Sequence, residues 1–303
     1  MTENEFLLQD RITKIKSVNE QYDLLNNSYI SFSGGKDSTV LSVLIDEALP
    51  GNKIPRIYVD TKLDYKLVRE FALDKVKNDE RFIAVTHDKN IRKSLEEDGY
   101  PFKSKTHSRN VMYRQNGLDT DYLKYYFRKD DGTYTKASRQ CPKILEYQWD
   151  FNDFKISDKC CINMKEEPLK RWQRENNKTI YMSGIRDAEG GRRSMNSGCI
   201  QMNGEKVSSF NPLFVVSDDW MSWYIESRNI KLAALYYSPY NFERTGCKGC
   251  PFALNLEKDL ETMRRLLPTE AKQCEILWKP VYDEYRRIGY RLRKQNDDAL
   301  FDF

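Results

Sequence analysis

Ser33-Gly34-Gly35-Lys36-Asp37-Ser38 lies between the apolar run Tyr29-Ile30-Ser31-Phe32 and the run Thr39-Val40-Leu41-Ser42-Val43-Leu44-Ile45. A strand, a glycine turn and a helix start in that order make a cradle for an anion. Paired glycines reach backbone dihedrals closed to other residues, so successive N–H groups can converge on one phosphate. The helix start adds N–H groups without intrahelical partners and the positive end of the helix dipole. Lys36 brings a mobile positive charge, and Ser33 and Ser38 bring hydroxyls able to donate to phosphate oxygens. Lys36 and Asp37 are the loop's candidate catalytic residues. The spacing is not the Walker pattern, which needs four residues between its first glycine and Gly-Lys. The competing reading is a charged surface turn.

A second group of residues is built for soft metals. Cys160-Cys161 is followed by Lys165, Pro168 and Leu169, and much later by Cys247-Lys248-Gly249-Cys250. Two adjacent thiols plus a C-x-x-C give four ligands, enough for one tetrahedral zinc or one iron–sulfur cluster. Adjacent cysteines reach a single zinc poorly alongside a tight C-x-x-C knuckle, whereas a cubane cluster offers a different iron to each ligand. Zinc stays the alternative metal.

These motifs together resemble a known family. The glycine loop is similar to the S-G-G-x-D-S loop of the PP-loop superfamily of adenine-nucleotide enzymes, which includes ATP pyrophosphatases and sulfonucleotide reductases. The cysteine pattern resembles the C-C-x-x-R-K-x-x-P-L segment and distant C-x-x-C of the adenylyl-sulfate and phosphoadenosine phosphosulfate (PAPS) reductases, with Met164 where the family has arginine. That resemblance implies one [4Fe-4S] cluster on Cys160, Cys161, Cys247 and Cys250, with Lys165 near the cluster and the charged end of the substrate. Gly184-Ile185-Arg186-Asp187-Ala188-Glu189-Gly190-Gly191-Arg192-Arg193 resembles the family's G-x-R-x-x-E-S-x-x-R segment, with Gly190 at its serine. By that likeness Gly184, Arg186, Glu189, Arg192 and Arg193 are nucleotide-binding candidates, the forked guanidinium suiting tetrahedral anions. A solvated arginine loop is the alternative. Lys105 and Arg109 also fall in a segment like one of the family's. The likeness runs from about residue 25 to 255.

One departure changes the expected chemistry. Reductases of this family attack sulfur with a cysteine in a C-terminal E-C-G-L-H segment, and thioredoxin then resolves the thiosulfonate. The C-terminal run Asn296 to Phe303 holds no cysteine, and Cys274 sits in the helical run Glu270 to Glu275. Cys199 is the best remaining catalytic thiol, because arginines close by favour a thiolate; a small packed cysteine is the bland alternative. Relatives resembling tRNA thiolases and the DNA phosphorothioation protein use the loop with ATP, and with Mg²⁺, to activate an acceptor before sulfur arrives. The expected function is therefore ATP-dependent sulfur transfer or nucleic-acid modification. Reduction of adenylyl sulfate or PAPS to sulfite, or a non-catalytic nucleotide and cluster sensor, are the other readings. Expected partners are an adenine nucleotide, a tRNA or DNA acceptor, and a cysteine desulfurase or thioredoxin as sulfur or electron partner.

The positioning elements follow from hydrophobic periodicity. The spacing predicts a helix over about 3–25, strands at Arg56–Thr61, Phe82–Thr86 and Thr179–Ser183, and a helix from Lys62 to Lys77. Strands alternating with helices predict a parallel α/β sheet of the PP-loop, adenine nucleotide alpha-hydrolase-like kind. Ligands in such sheets sit beyond the strands' carboxyl ends, which makes Asp60 and Thr61 candidates for a ribose or base. Two or three helices are expected from Leu256, with boundaries at Pro268 and Pro280. The expected division is a nucleotide domain at 1–255, holding an insertion at 103–150, and a helical extension at 256–303.

The chain has 303 residues, 32% of them charged, and a net charge of +4, with a mean hydropathy of -0.77. No apolar run is long enough to span a bilayer, and the N-terminus reads as lacking a signal peptide, so a cytoplasmic site without membrane partners is expected. Seven cysteines there point to metal or redox chemistry before disulfides. Residues 103–145 interleave Lys103, Lys105, Arg109, Arg114, Lys124, Arg128 and Lys136 with Tyr113, Tyr122, Tyr125, Tyr126 and Tyr134. That mixture suits a nucleic-acid surface, by phosphate neutralisation and base stacking. Tyrosines packed locally within a solvated insertion are the equal alternative.

Overall fold

The computed structural model describes residues 2–132, 140–189 and 198–294. In chain order its elements are α1 Glu3–Tyr22, α2 Leu24–Asn27, β1 Ser28–Phe32, α3 Lys36–Ala48, β2 Arg56–Asp60, α4 Lys66–Asn78 and β3 Phe82–Thr86. Then come α5 Ile91–Asp98, α6 Lys105–Gln115, α7 Asp121–Tyr126, α8 Lys159–Cys161, α9 Glu167–Glu175, β4 Ile180–Met182, β5 Ile200–Asn203 and β6 Lys206–Phe210. Helices α10 Asp218–Ser227, α11 Leu256–Leu266, α12 Pro268–Leu277 and α13 Lys279–Ile288 complete the chain. The chain divides into two compact units, Met1–His87 with Lys165–Gly246, and Asp88–Met164 with Cys247–Phe303. The C-terminal helices thus share a unit with the 88–164 segment.

The first unit holds one six-stranded sheet in the order β3-β2-β1-β4-β6-β5. Pairings are parallel from β3 through β6, and only the edge strand β5 runs antiparallel, against β6. The α/β, mostly parallel fold is as the sequence predicts. After β1 the chain builds outward to β2 and β3, then returns to add β4 on β1's other side. The β1–β4 boundary is therefore the topological switch point, the place where open α/β sheets bind ligands.

Alternation along each strand feeds two faces. Ile30, Ile180, Met182 and Val207 pack with Val40, Leu41, Leu44 and Ile45 of α3, Ile12 and Ile15 of α1, and Trp220 and Tyr224 of α10. Tyr29 and Ile57 face the other way, onto Trp172 of α9. A capping box, Thr2 with Glu5, starts α1, and the expected 3–25 helix breaks at Asp23, whose φ of 51° ends α1 and whose carboxylate caps α2. Helix α4 begins later than expected, because Asp60 and Thr61 accept the Lys62 and Leu63 N–H groups and make a turn first.

In the second unit Phe102 meets Tyr285 edge-on at 4.6 Å, with Phe127, Leu145, Val281 and Tyr282 fully buried. Pro268 opens α12 and Pro280 is the second residue of α13, as expected, where a missing N–H costs nothing. No helix among the described residues is long and apolar enough to cross a membrane.

Candidate functional site

The glycine loop closes on itself through hydroxyls. The Ser33 N–H donates to Ser38 Oγ at 3.1 Å, and the Gly35 N–H donates to Ser33 Oγ at 3.3 Å. Ser38 and Thr39 hydroxyls donate back to the Gly35 carbonyl at 3.0 and 2.9 Å, fixing the first turn of α3. Gly34 has φ +71°, with Val68 so close that a Cβ would meet its Cγ1 at 3.1 Å. The Lys36 N–H donates to Tyr236 Oη at 2.9 Å, and Tyr236 shares a 2.6 Å hydrogen bond with Thr245 Oγ1. Gly35 is ringed by the Ser33, Thr245 and Tyr236 hydroxyl oxygens, 3.1–3.4 Å from where its Cβ would stand.

The segment after β4 completes the switch point. Gly184 lies against the start of α3, where a Cβ would meet the Asp37 carbonyl carbon and oxygen at 2.8 Å. Arg186, 3% exposed, donates from Nε to Asp37 at 2.9 Å and from Nη2 to Asp218 at 2.7 Å. Its Nη1 is buried without a hydrogen-bond partner among the described residues, an uncommon state for a buried guanidinium. Arg186 holds the Asp218 carboxyl below the ordinary carboxylate range, helped by the charges of Lys36 and Arg244. Of the residues singled out from the sequence, Lys36, Asp37, Gly184 and Arg186 come together here. Asp218, Tyr236 and Thr245 join them without a local motif; the visible signal was the Ser217 cap opening α10.

Other candidates are placed differently. Asp60 is gripped through both oxygens by Arg69, at 2.9 and 2.7 Å, which holds its carboxyl below the usual range. Thr61 Oγ1 donates to Asp64 at 3.2 Å and accepts the Leu63 N–H. Both side chains build the β2–α4 turn, and a ribose would compete with Arg69 for Asp60. Lys165 stands 3.9 Å from Asp64. Cys199 lies beside α1, where Arg11 Nη1 donates to its Sγ at 3.4 Å. It precedes edge strand β5, three strands from β1 in the sheet, which is about 14 Å at ordinary strand spacing. Among the described residues, the arginine donating to Cys199 is thus Arg11 of the helical layer. The Glu189 side chain, Arg192 and Arg193 lie outside the described residues.

All four candidate metal ligands fall in the second unit. Cys160 is buried and Cys161, Cys247 and Cys250 half-buried. Cys160 and Cys161 end α8, which runs into a π-helical segment, Ile162–Glu166, a kind of irregularity common at functional sites. The C-x-x-C turn is held by α13 and the residue before it. Trp278 Nε1 donates to the Lys248 carbonyl at 3.2 Å, the Tyr282 hydroxyl to that of Gly249, and the Tyr285 hydroxyl to that of Pro251 at 2.9 Å. The spacing of 278, 282 and 285 is one helix face. Gly249, at φ +56°, has no room for a Cβ, with Tyr282 Oη 2.5 Å and Cys274 Sγ 2.8 Å away. Two thiol pairs in one unit suit an iron–sulfur cluster by donor chemistry. Among the described residues, however, no three Cys, His, Asp or Glu side chains are grouped to hold one metal ion.

The basic, tyrosine-rich segment largely satisfies itself. Arg109 pairs with Asp158, Arg128 with Glu146 at 2.7 Å, and Arg114 stacks on Trp149 at 3.6 Å. Tyr122 stacks on the buried Tyr126. These residues follow the local-packing alternative; Tyr134 and Lys136 lie outside the described residues.

A family model described as the phosphoadenosine phosphosulfate reductase domain matches residues 110–253. With the motifs, that match supports assigning the chain to the PAPS reductase and PP-loop superfamily. An uncharacterized protein, MJ0973, of Methanocaldococcus jannaschii is 25% identical over 296 residues, covering 93% of this chain and 55% of the relative. The chain thus spans about half the length of the curated relative it matches. Among solved structures, a PAPS reductase from Candida auris is 15% identical at TM-score 0.38, covering 69% of this chain and 76% of its own. The U34-tRNA thiolase NcsA from Methanococcus maripaludis, solved with its [4Fe-4S] cluster, is 15% identical at TM-score 0.40, covering 98% and 84%.

Proposed function

We propose that this chain is an adenine-nucleotide-dependent enzyme that activates or transfers sulfur. The observation that carries the reading is the convergence at the switch point of loop N–H groups, Lys36 and Arg186, whose buried Nη1 has no hydrogen-bond partner among the described residues. Donors fixed before the ligand arrives stabilise a nucleotide's phosphates without reorganisation. With ATP, an acceptor oxygen attacks the α-phosphorus, the α–β bridging bond breaks, and pyrophosphate departs with its electron pair. The loop N–H groups, the Ser33 and Ser38 hydroxyls and Lys36 take up the charge that develops on the pyrophosphate, with Mg²⁺ brought by the nucleotide. Asp37 orients Arg186 through their 2.9 Å ion pair.

In the same proposal Cys160, Cys161, Cys247 and Cys250 hold a [4Fe-4S] cluster, which when bound supplies iron that can ligate sulfur. Lys165 and Cys199 act as charge and thiol partners of the sulfur chemistry. The acceptor is tRNA or DNA, and the sulfur or electron partner a cysteine desulfurase or thioredoxin. The second reading is sulfonucleotide reduction, favoured by the reductase-domain match over residues 110–253. Anaerobic turnover of cluster-reconstituted protein separates the two. AMP and pyrophosphate formed from ATP, and increased by tRNA or DNA, support the first. Sulfite formed from adenylyl sulfate or PAPS with thioredoxin supports the second.

A further inference from the structure

Tyr236 lies 200 positions from Lys36 in sequence, yet its hydroxyl oxygen accepts the Lys36 N–H at 2.9 Å. That N–H is the first of α3, one of the groups a helix start presents to an anion. The Tyr236 hydroxyl also shares a 2.6 Å hydrogen bond with Thr245 Oγ1, which holds its oxygen against the backbone N–H it accepts from. The segment is anchored nearby by Phe242, whose ring lies 5.1 Å from that of Tyr65, just before α4. Burial raises the Tyr236 hydroxyl pKa, so it stays a neutral acceptor. Ser38 Oγ and Ser33 Oγ stand in the same relation to the Ser33 and Gly35 N–H groups. Three of the loop's N–H donors, those of Ser33, Gly35 and Lys36, are thus matched to a hydroxyl oxygen, the neutral counterpart of a phosphate oxygen.

We propose that Tyr236 is an exchangeable cap on the phosphate seat: its hydroxyl competes with a phosphate oxygen for the Lys36 N–H and so sets which anions the loop accepts. This rests on the nucleotide reading of the loop. A pyrophosphate-bearing ligand, making several contacts, displaces the cap; an isolated phosphate, which regains little beyond the bond it breaks, does so poorly. Tyr236 is a specificity-determining residue here, with Thr245 holding its orientation. Removing the hydroxyl removes the competitor, and because one hydrogen bond is worth about 1 kcal/mol net, affinity should rise roughly five-fold.

The test is calorimetric titration of the full chain with inorganic pyrophosphate, ATP and inorganic phosphate, in wild type and Tyr236→Phe, with Ser33→Ala as a control for binding at the loop. Tighter pyrophosphate and ATP binding by Tyr236→Phe, with a narrower gap between pyrophosphate and phosphate, is expected. Unchanged or weaker binding by Tyr236→Phe, beside a wild type that binds and a weakened Ser33→Ala, overturns the cap alone. No binding by any of these proteins overturns the nucleotide reading and the cap with it. A second readout covers a destabilised variant. In wild type, pyrophosphate should shift the Lys36 amide resonance and the Tyr236 ring signals together, and a shift of Lys36 with Tyr236 unmoved contradicts exchange.

Discussion

The glycine loop and the C-x-x-C turn are both tight, glycine-dependent backbone turns, yet they are stabilised in opposite senses. The loop presents N–H groups, and these rest on hydroxyl oxygens from Ser33, Ser38 and Tyr236. The cysteine turn presents carbonyls, and these are capped by Trp278, Tyr282 and Tyr285. Hydroxyls that accept from a helix start can be exchanged for a ligand's oxygens. Ring donors fully buried in a helix face cannot leave without exposing an aromatic core. The first arrangement suits a substrate that comes and goes, and the second suits a fixed scaffold for thiols.

The comparison breaks hardest at the glycine of the scaffold. Gly249→Ala forces a Cβ to within 2.5 Å of Tyr282 Oη at a positive φ. We expect a loss of about 3 kcal/mol in denaturant unfolding, together with loss of bound iron after reconstitution. A variant with wild-type stability and iron content would show that the α13 face does not hold the turn. Tyr282→Phe is milder, since the ring stays and one bond to the Gly249 carbonyl is lost. It should cost about 1–2 kcal/mol and lower iron retention without moving nucleotide affinity.

A smaller effect sharpens the account of the second unit. His107 is fully buried between the Tyr126 hydroxyl and the Gln148 side-chain oxygen, and burial pushes its imidazole down to about 3. The folded chain keeps it neutral, whereas the unfolded chain binds a proton below about pH 6.5. Stability from this group is therefore present above 6.5 and lost as pH falls toward 3, by up to about 1.4 kcal/mol per unit. Urea unfolding at pH 7 and pH 5 should show a drop that His107→Gln lacks; equal drops would assign the pH dependence to other groups.

What the sequence made legible was local. The strand–glycine–helix order of β1, the loop and α3, and the proline boundaries at Pro268 and Pro280, are written in neighbours within a few residues, so spacing alone reveals them. What it concealed depends on distant segments. Asp60 looked like a ribose ligand until Arg69, one helical segment on, took both its oxygens. Arg109 and Arg128 looked like a phosphate surface, but Asp158 and Glu146 neutralise them within the same unit. Trp278, Tyr282 and Tyr285 carry no local signal of their role, because nothing in the sequence around them shows that their polar atoms meet the carbonyls of residues 248–251. Edge strand β5 and its Cys199 escaped placement because an antiparallel return carries no βαβ signature.

The central claim is that the loop at the β1–β4 switch point binds a nucleotide through its backbone. Equilibrium titration with Mg-ATP of wild type and Gly34→Ala tests it most directly, since Gly34 sits at φ +71° and a Cβ there would press on Val68. Saturable binding by wild type and at least ten-fold weaker binding by a folded Gly34→Ala is the predicted result. Equal affinities, or ATP bound by neither, would contradict the account.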